Sequence, residues 1–162
     1  MYQDRAPARR ESGTGNGLQV DLEDLAHALD QRLPEGIWLL DLRSGDIACY
    51  TEDILNEDPS GALEDPDLYL PIDPIHSKLS FTLMEEFLEE LPEGRPKRAL
   101  DAALERRKPF RAFKDMLLHF PEVREAWFTF HHLRMLELAE EWLQDNLPQA
   151  TPIRKLRTTA EG

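Results

Sequence analysis

PFRAFKDMLLHFPEVREAWFTFHHLRMLELAEEW, residues 109–142, is the stretch whose reading decides the fold. It holds two of the three Trp, five of the seven Phe and three of the five His. Phe110, Phe113, Leu117 and Phe120 recur at i, i+3, i+7 and i+10. That spacing sets them on one helical face and predicts an aromatic core. Arg111 and Lys114, three apart, share the other face. Pro121 breaks this first helix and opens a longer one, along which Trp127, Phe130, Leu133, Arg134, Leu138, Ala139 and Trp142 run. The rings are expected inside and the cations between them outside.

Working back from Pro109, a helix is expected from Pro96 to about Arg107, with Ala99, Leu100, Ala103 and Leu104 on its buried side. Arg106, Arg107 and Lys108 crowd its C-terminal end, where cations meet the negative end of the macrodipole. Ser77–Leu91 predicts another helix. Leu83, Met84, Phe87, Leu88 and Leu91 form its stripe, and Glu85, Glu86, Glu89 and Glu90 its wet face. Pro92-Glu93-Gly94 separates the two.

The N-terminal part reads differently. Leu22, Leu25, Ala26, Leu29 and Leu33 fall at helical spacing behind Asp21, a plausible N-cap. Two short apolar runs follow, Ile37–Arg43 and Ile47–Thr51, with Ser44-Gly45-Asp46 between them. A three-residue loop containing Gly is a hairpin signal. Asp41 inside the first run is unusual; it is either a functional carboxylate or, by the habit of strand ends, a loop anchor. Glu52–Asp67 is acidic and rich in turn residues, so a loop is expected. Leu68–Ile72 reads as a third strand that Pro71 confines to an edge. The expected fold class is α+β: one domain over 19–148, with an antiparallel sheet of about three strands covered by a C-terminal helical bundle. A disordered tail is expected over 1–18, and a frayed tail over 149–162.

Charge is placed unevenly along the chain. The formal net charge is −13. Residues 21–93 hold 20 Asp and Glu against 3 Lys and Arg, whereas 94–126 hold 5 against 9. An acidic surplus of this kind speaks against a nucleic-acid footprint over the whole surface. No apolar run reaches the roughly 20 residues that span a bilayer, so no membrane partner is expected. The N-terminus lacks an apolar signal core. One cysteine, Cys49, excludes an intramolecular disulfide and fits a reducing cytoplasm; within its strand, Cys49 is expected to be buried.

The motifs of several chemistries are missing. There is no G-x-x-x-x-G-K-[ST] phosphate loop, no G-x-G-x-x-G and no G-x-S-x-G elbow. The acids from Asp53 to Asp67 lack the order of a calcium loop. His131 and His132 are adjacent and point about 100° apart on a helix, so they do not chelate as an i, i+4 pair does. No metal, cofactor or catalytic residue is expected. Two surfaces remain. The acidic half suits a basic protein partner. Arg106, Arg107, Lys108, Arg111 and Lys114 form a basic cluster, to be weighed as an anion- or partner-binding face, for nucleic acid or an acidic protein, or as cations paired with the surrounding acids.

The runs P-F-R-A-F-K-D, P-E-V-R-E-A-W and A-E-E-W-L resemble uncharacterised protein family 0158, a set of small bacterial proteins. W-L-L-D-L-R-S-G-D-I and L-Y-L-P-I are similar to that family's N-terminal part. The resemblance covers roughly 36–143, and Phe110, Arg111, Phe113, Lys114 and Trp127 carry it. It implies a cytoplasmic bacterial protein and transfers no activity. The expected function is therefore a non-enzymatic interaction or regulatory module, with nucleic-acid binding through 106–114 as the alternative.

Overall fold

A computed structural model of the protein describes residues 17–155. Its elements, in chain order, are β1 (Gln19–Asp21), α1 (Leu22–Asp30), β2 (Gly36–Asp41), β3 (Ile47–Thr51), α2 (Glu52–Asn56), β4 (Tyr69–Ile72), α3 (Ser77–Glu90), α4 (Arg95–Leu104), α5 (Pro109–Leu117), α6 (Pro121–Asn146) and β5 (Thr151–Ile153). A single 3-10 turn, Ala62–Glu64, precedes β4. The fold is α+β, as expected. The stretch read as one domain falls into two compact units. The first takes the chain up to Pro74 and again from Met135, and the second is Ile75–Arg134.

In the first unit the sheet order is β3-β2-β4, antiparallel throughout. Leu39 and Leu40 on the central strand are both buried, and Leu40 lies between Ile47 and Leu70. Burial of both faces is why alternation along this strand is imperfect. Asp21 caps α1, its carboxylate accepting from the Glu23 N–H at 2.8 Å. Trp38 meets His27 of α1 edge to face at 5.6 Å, and its indole N–H donates to the Gln31 carbonyl. Gly45 sits in the hairpin loop at φ 85°, and an added Cβ would lie 2.0 Å from the Gln19 carbonyl oxygen. Only glycine fits there.

Three stretches differ from expectation. Thr151–Ile153, in the segment expected to fray, forms β5 and pairs in parallel with β1. The pairing is locked from both ends. The Thr151 N–H donates to the Leu18 carbonyl at 2.7 Å, and Arg154 bonds Glu23 at 2.6 Å. A three-residue strand containing Pro152 has no periodicity to read. Of the tails, residues 1–16 and 156–162 lie outside the described residues. Within the acidic loop, Glu52–Asn56 forms α2, because the Thr51 hydroxyl caps it by accepting from the Ile54 N–H. Cys49, expected to be buried, is exposed, because β3 lies at the margin of the sheet.

The second unit is helical. Phe113 and Leu117 of α5 are buried, as are Leu83, Met84, Phe87 and Leu88 of α3 and Trp127 of α6. Trp127 is the hub. Its ring lies 5.1 Å from Phe113 and 5.4 Å from Phe87, both edge to face, a favoured aromatic geometry. His131 and Phe130 flank the same indole at 5.1 and 6.0 Å. Arg134 ties α6 to α3 by bonding Glu86.

Candidate functional site

The basic cluster lies at the corner between α4 and α5. Arg106, Arg107 and Lys108 occupy the link between the two helices, and Arg111 and Lys114 project from α5; all five are exposed. Pro109 starts α5 directly after this link. Arg111 reaches Asp115 at 3.9 Å, one turn on, at the limit of an ion pair. Arg106, Arg107, Lys108 and Lys114 make no ion pair with a described residue. Within this cluster, ion pairing with described acids is thus confined to Arg111. Leu118, 64% exposed, follows Lys114 by one turn on the same side of the helix.

Residues 109–142 thus divide by depth. Phe113 and Trp127 are core. Phe110 is 37% exposed and packs edge to face on Phe81 at 6.3 Å, so the aromatic face predicted for α5 is buried at its centre and open at its start. Arg124 covers the exposed Phe128 ring at 4.7 Å.

The first unit carries the acidic surface. Its described residues, 17–74 and 135–155, hold 19 Asp and Glu against 4 Lys and Arg, a net of −15. The second unit holds 10 against 11, a net of +1. The two units therefore differ in charge as the sequence windows do, the acidic surplus falling in the first unit. Asp46 in the hairpin loop and Glu52, Asp53, Glu57, Glu64 and Asp67 in the segment that follows the hairpin are all exposed.

Two acids of this unit have structural work. The Asp41 carboxylate accepts from the Arg43 N–H at 2.8 Å and from its Nε at 3.1 Å, and Arg43 also donates to the Tyr69 hydroxyl at 2.9 Å. Burial pushes the Asp41 carboxyl up, but the Arg43 guanidinium and the Arg43 and Ser44 N–H groups outweigh it and hold it below its ordinary value. Asp41 is thus the loop anchor. Beside it, burial and the neighbouring Tyr69 and Asp41 push the Tyr50 hydroxyl up. Asp58 organises the acidic loop. It accepts from the Leu63 N–H at 2.9 Å and from the Ser60 hydroxyl at 2.8 Å, bonds that lower its pKa. The sequence marked Asp58 only as one acid in a turn-rich stretch, though Asp-Pro-Ser-Gly is an Asx-turn signal.

No group of three or more His, Cys, Asp or Glu among the described residues is placed to hold a metal ion. A shallow notch lies beside the last turn of α6, lined by Glu140, Leu143, Gln144, Leu147, Ala150 and Pro152, and it brings no set of catalytic side chains together.

The model of the uncharacterised protein family UPF0158 matches residues 16–158. The chain belongs to the UPF0158 family. It is similar to the UPF0158 protein PA5073 of Pseudomonas aeruginosa, 36% identical over 130 residues, which cover 80% of this chain and 84% of that protein. No solved structure matches. The resemblance first carried by five residues thus extends over most of this UPF0158 chain, including β1 and β5. No helix among its described residues is long and apolar enough to cross a membrane.

Proposed function

We propose that this UPF0158 chain is a non-enzymatic interaction module whose acidic first unit docks a basic protein partner. The observation that carries the reading is the segregation of charge, net −15 over the described residues of one unit against +1 in the other. Such a surface raises the association rate of a basic partner and makes the complex salt-sensitive. A reducing cytoplasm suits the exposed Cys49 thiol. Affinity for a lysine-flanked peptide is expected to fall at least about tenfold between 20 and 300 mM salt, as the Debye length drops below the span of the patch. The triple change Glu52→Lys, Asp53→Lys and Glu57→Lys is expected to remove most of that salt dependence. Absence of binding to any basic probe at low salt contradicts the reading.

One observation favours a second reading. Four of the five cations at the α4–α5 corner are exposed and have no ion pair with a described residue. Such cations suit phosphate contacts, each of which adds about one unit to the salt slope. On this reading the protein retards RNA or DNA in a gel, and the pair Arg111→Glu and Lys114→Glu abolishes the shift. No retardation of either nucleic acid at low salt removes it.

A further inference from the structure

We infer that the outer edge of β3 is a strand-docking site for an extended segment of a basic partner; this rests on the proposed docking of such a partner to the first unit. The hydrogen-bond parity of the hairpin carries this inference. The Asp41 N–H donates to the Asp46 carbonyl at 2.8 Å, and the Glu52 N–H donates to the Glu35 carbonyl at 3.3 Å. With the register Leu39↔Ala48 and Ile37↔Tyr50, those pairs exchange bonds with β2. The intervening Ile47 and Cys49 therefore turn both N–H and C=O away from β2, and Thr51 its N–H, the Thr51 carbonyl being taken up as α2 begins. The other side of β2 obeys the same parity, since the Leu42 N–H donates to the Leu68 carbonyl at 2.8 Å.

The two edges of this sheet differ. On β4 the outward positions are Tyr69 and Pro71, and Pro71 has no N–H to offer, a usual way of closing an edge. On β3 the run Ile47-Ala48-Cys49-Tyr50-Thr51 contains neither Pro nor charge, and Ala48, Cys49 and Thr51 are exposed. No described strand pairs with it besides β2. An open edge of this kind accepts an added strand through its backbone, with side chains setting the choice of partner.

Charge names the occupant. Exposed Asp46 precedes the strand, and exposed Glu52 and Asp53 follow it. Lys155 lies 3.7 Å from Asp46 and offsets it in part; Glu52 and Asp53 make no ion pair with a described residue. A strand with Lys or Arg at its ends complements both flanks. A second copy does not. Antiparallel self-pairing about Cys49 sets Asp46 opposite Glu52 of the other copy, like charge against like.

The test uses the full chain and two synthetic peptides. The first is Lys-Lys-Thr-Val-Thr-Val-Thr-Lys-Lys. The second has the same sequence and charge but is N-methylated at each of its five central residues, so that neither of its edges can donate to a ladder. Amide exchange is followed by NMR at low salt. The first peptide is expected to bind, to slow exchange at Ile47, Cys49 and Thr51, and to bind at least about tenfold more tightly than its methylated analogue, as loss of a few ladder bonds implies. In Cys49→Pro the ring occupies the open side and removes the central donor, so that variant loses the protection; the methylated peptide makes the same comparison without altering the protein. If both peptides bind equally and the three amides stay unprotected, the edge is not the site, although the acidic docking reading stands. If neither binds, the docking reading falls and this inference with it. Self-pairing would bring the two Cys49 Cα atoms to about 5.5 Å, within disulfide reach. A Cys49-linked dimer on mild oxidation, with protection that rises with protein concentration, overturns the proposal in favour of a second copy.

Discussion

Phe113→Ala is expected to destabilise the second unit by about 3–5 kcal/mol. The ring is fully buried, and it sits 5.1 Å from Trp127 in an edge-to-face pair. Removing it costs the transfer energy of the phenyl group and leaves a cavity beside an indole that cannot collapse into it, because Phe87 and Phe130 hold Trp127 from other sides. Phe113→Leu is expected to recover about half of the loss. Urea denaturation read by tryptophan fluorescence measures both. A loss below about 1 kcal/mol means that the ring is not packed as described.

Asp21→Ala is expected to cost about 2–3 kcal/mol in the first unit. Asp21 is 2% exposed and does two jobs. One carboxylate oxygen caps α1 through the Glu23 N–H, and the other accepts from the Lys155 N–H at 3.4 Å, just past β5. The substitution orphans both donors and loosens the β1–β5 pair that closes this unit. Faster amide exchange at residues 19–21 and 151–153 is the specific sign. Asp21→Asn keeps one of the two acceptors and is expected to restore about half of the loss, through the cap. Unchanged exchange in β5 contradicts the double role.

The helices and the hairpin were legible because each carries its own signal. Asp21 as cap, Pro109 and Pro121 at helix starts, and Gly45 in the loop all act within a few residues of themselves. Boundaries moved where a side chain intervened. β2 stops at Asp41 because that carboxylate gathers Arg43, and α3 is capped by His76 Nδ1, which accepts from the Lys78 N–H at 3.1 Å. The β1–β5 pair was not legible: its partners are separated by more than a hundred residues and carry three residues each. The exposure of Cys49 depends on which strand ends up at the margin, which no local pattern records. For the basic corner the sequence supplied the residues, but whether acids neutralise them depends on the fold. Leu133, read as part of the apolar run of α6, is 54% exposed, because apolar and polar residues are spread around that helix and its spacing does not single out one face.

Amide-resolved NMR titration of the full chain with the lysine-flanked peptide tests the docking claim most directly. The account predicts saturable shifts at low salt confined to the first unit, centred on residues 46–67 and lost as salt is raised. Shifts confined instead to Arg106–Lys114, or no shift at any residue in 20 mM salt, would contradict it.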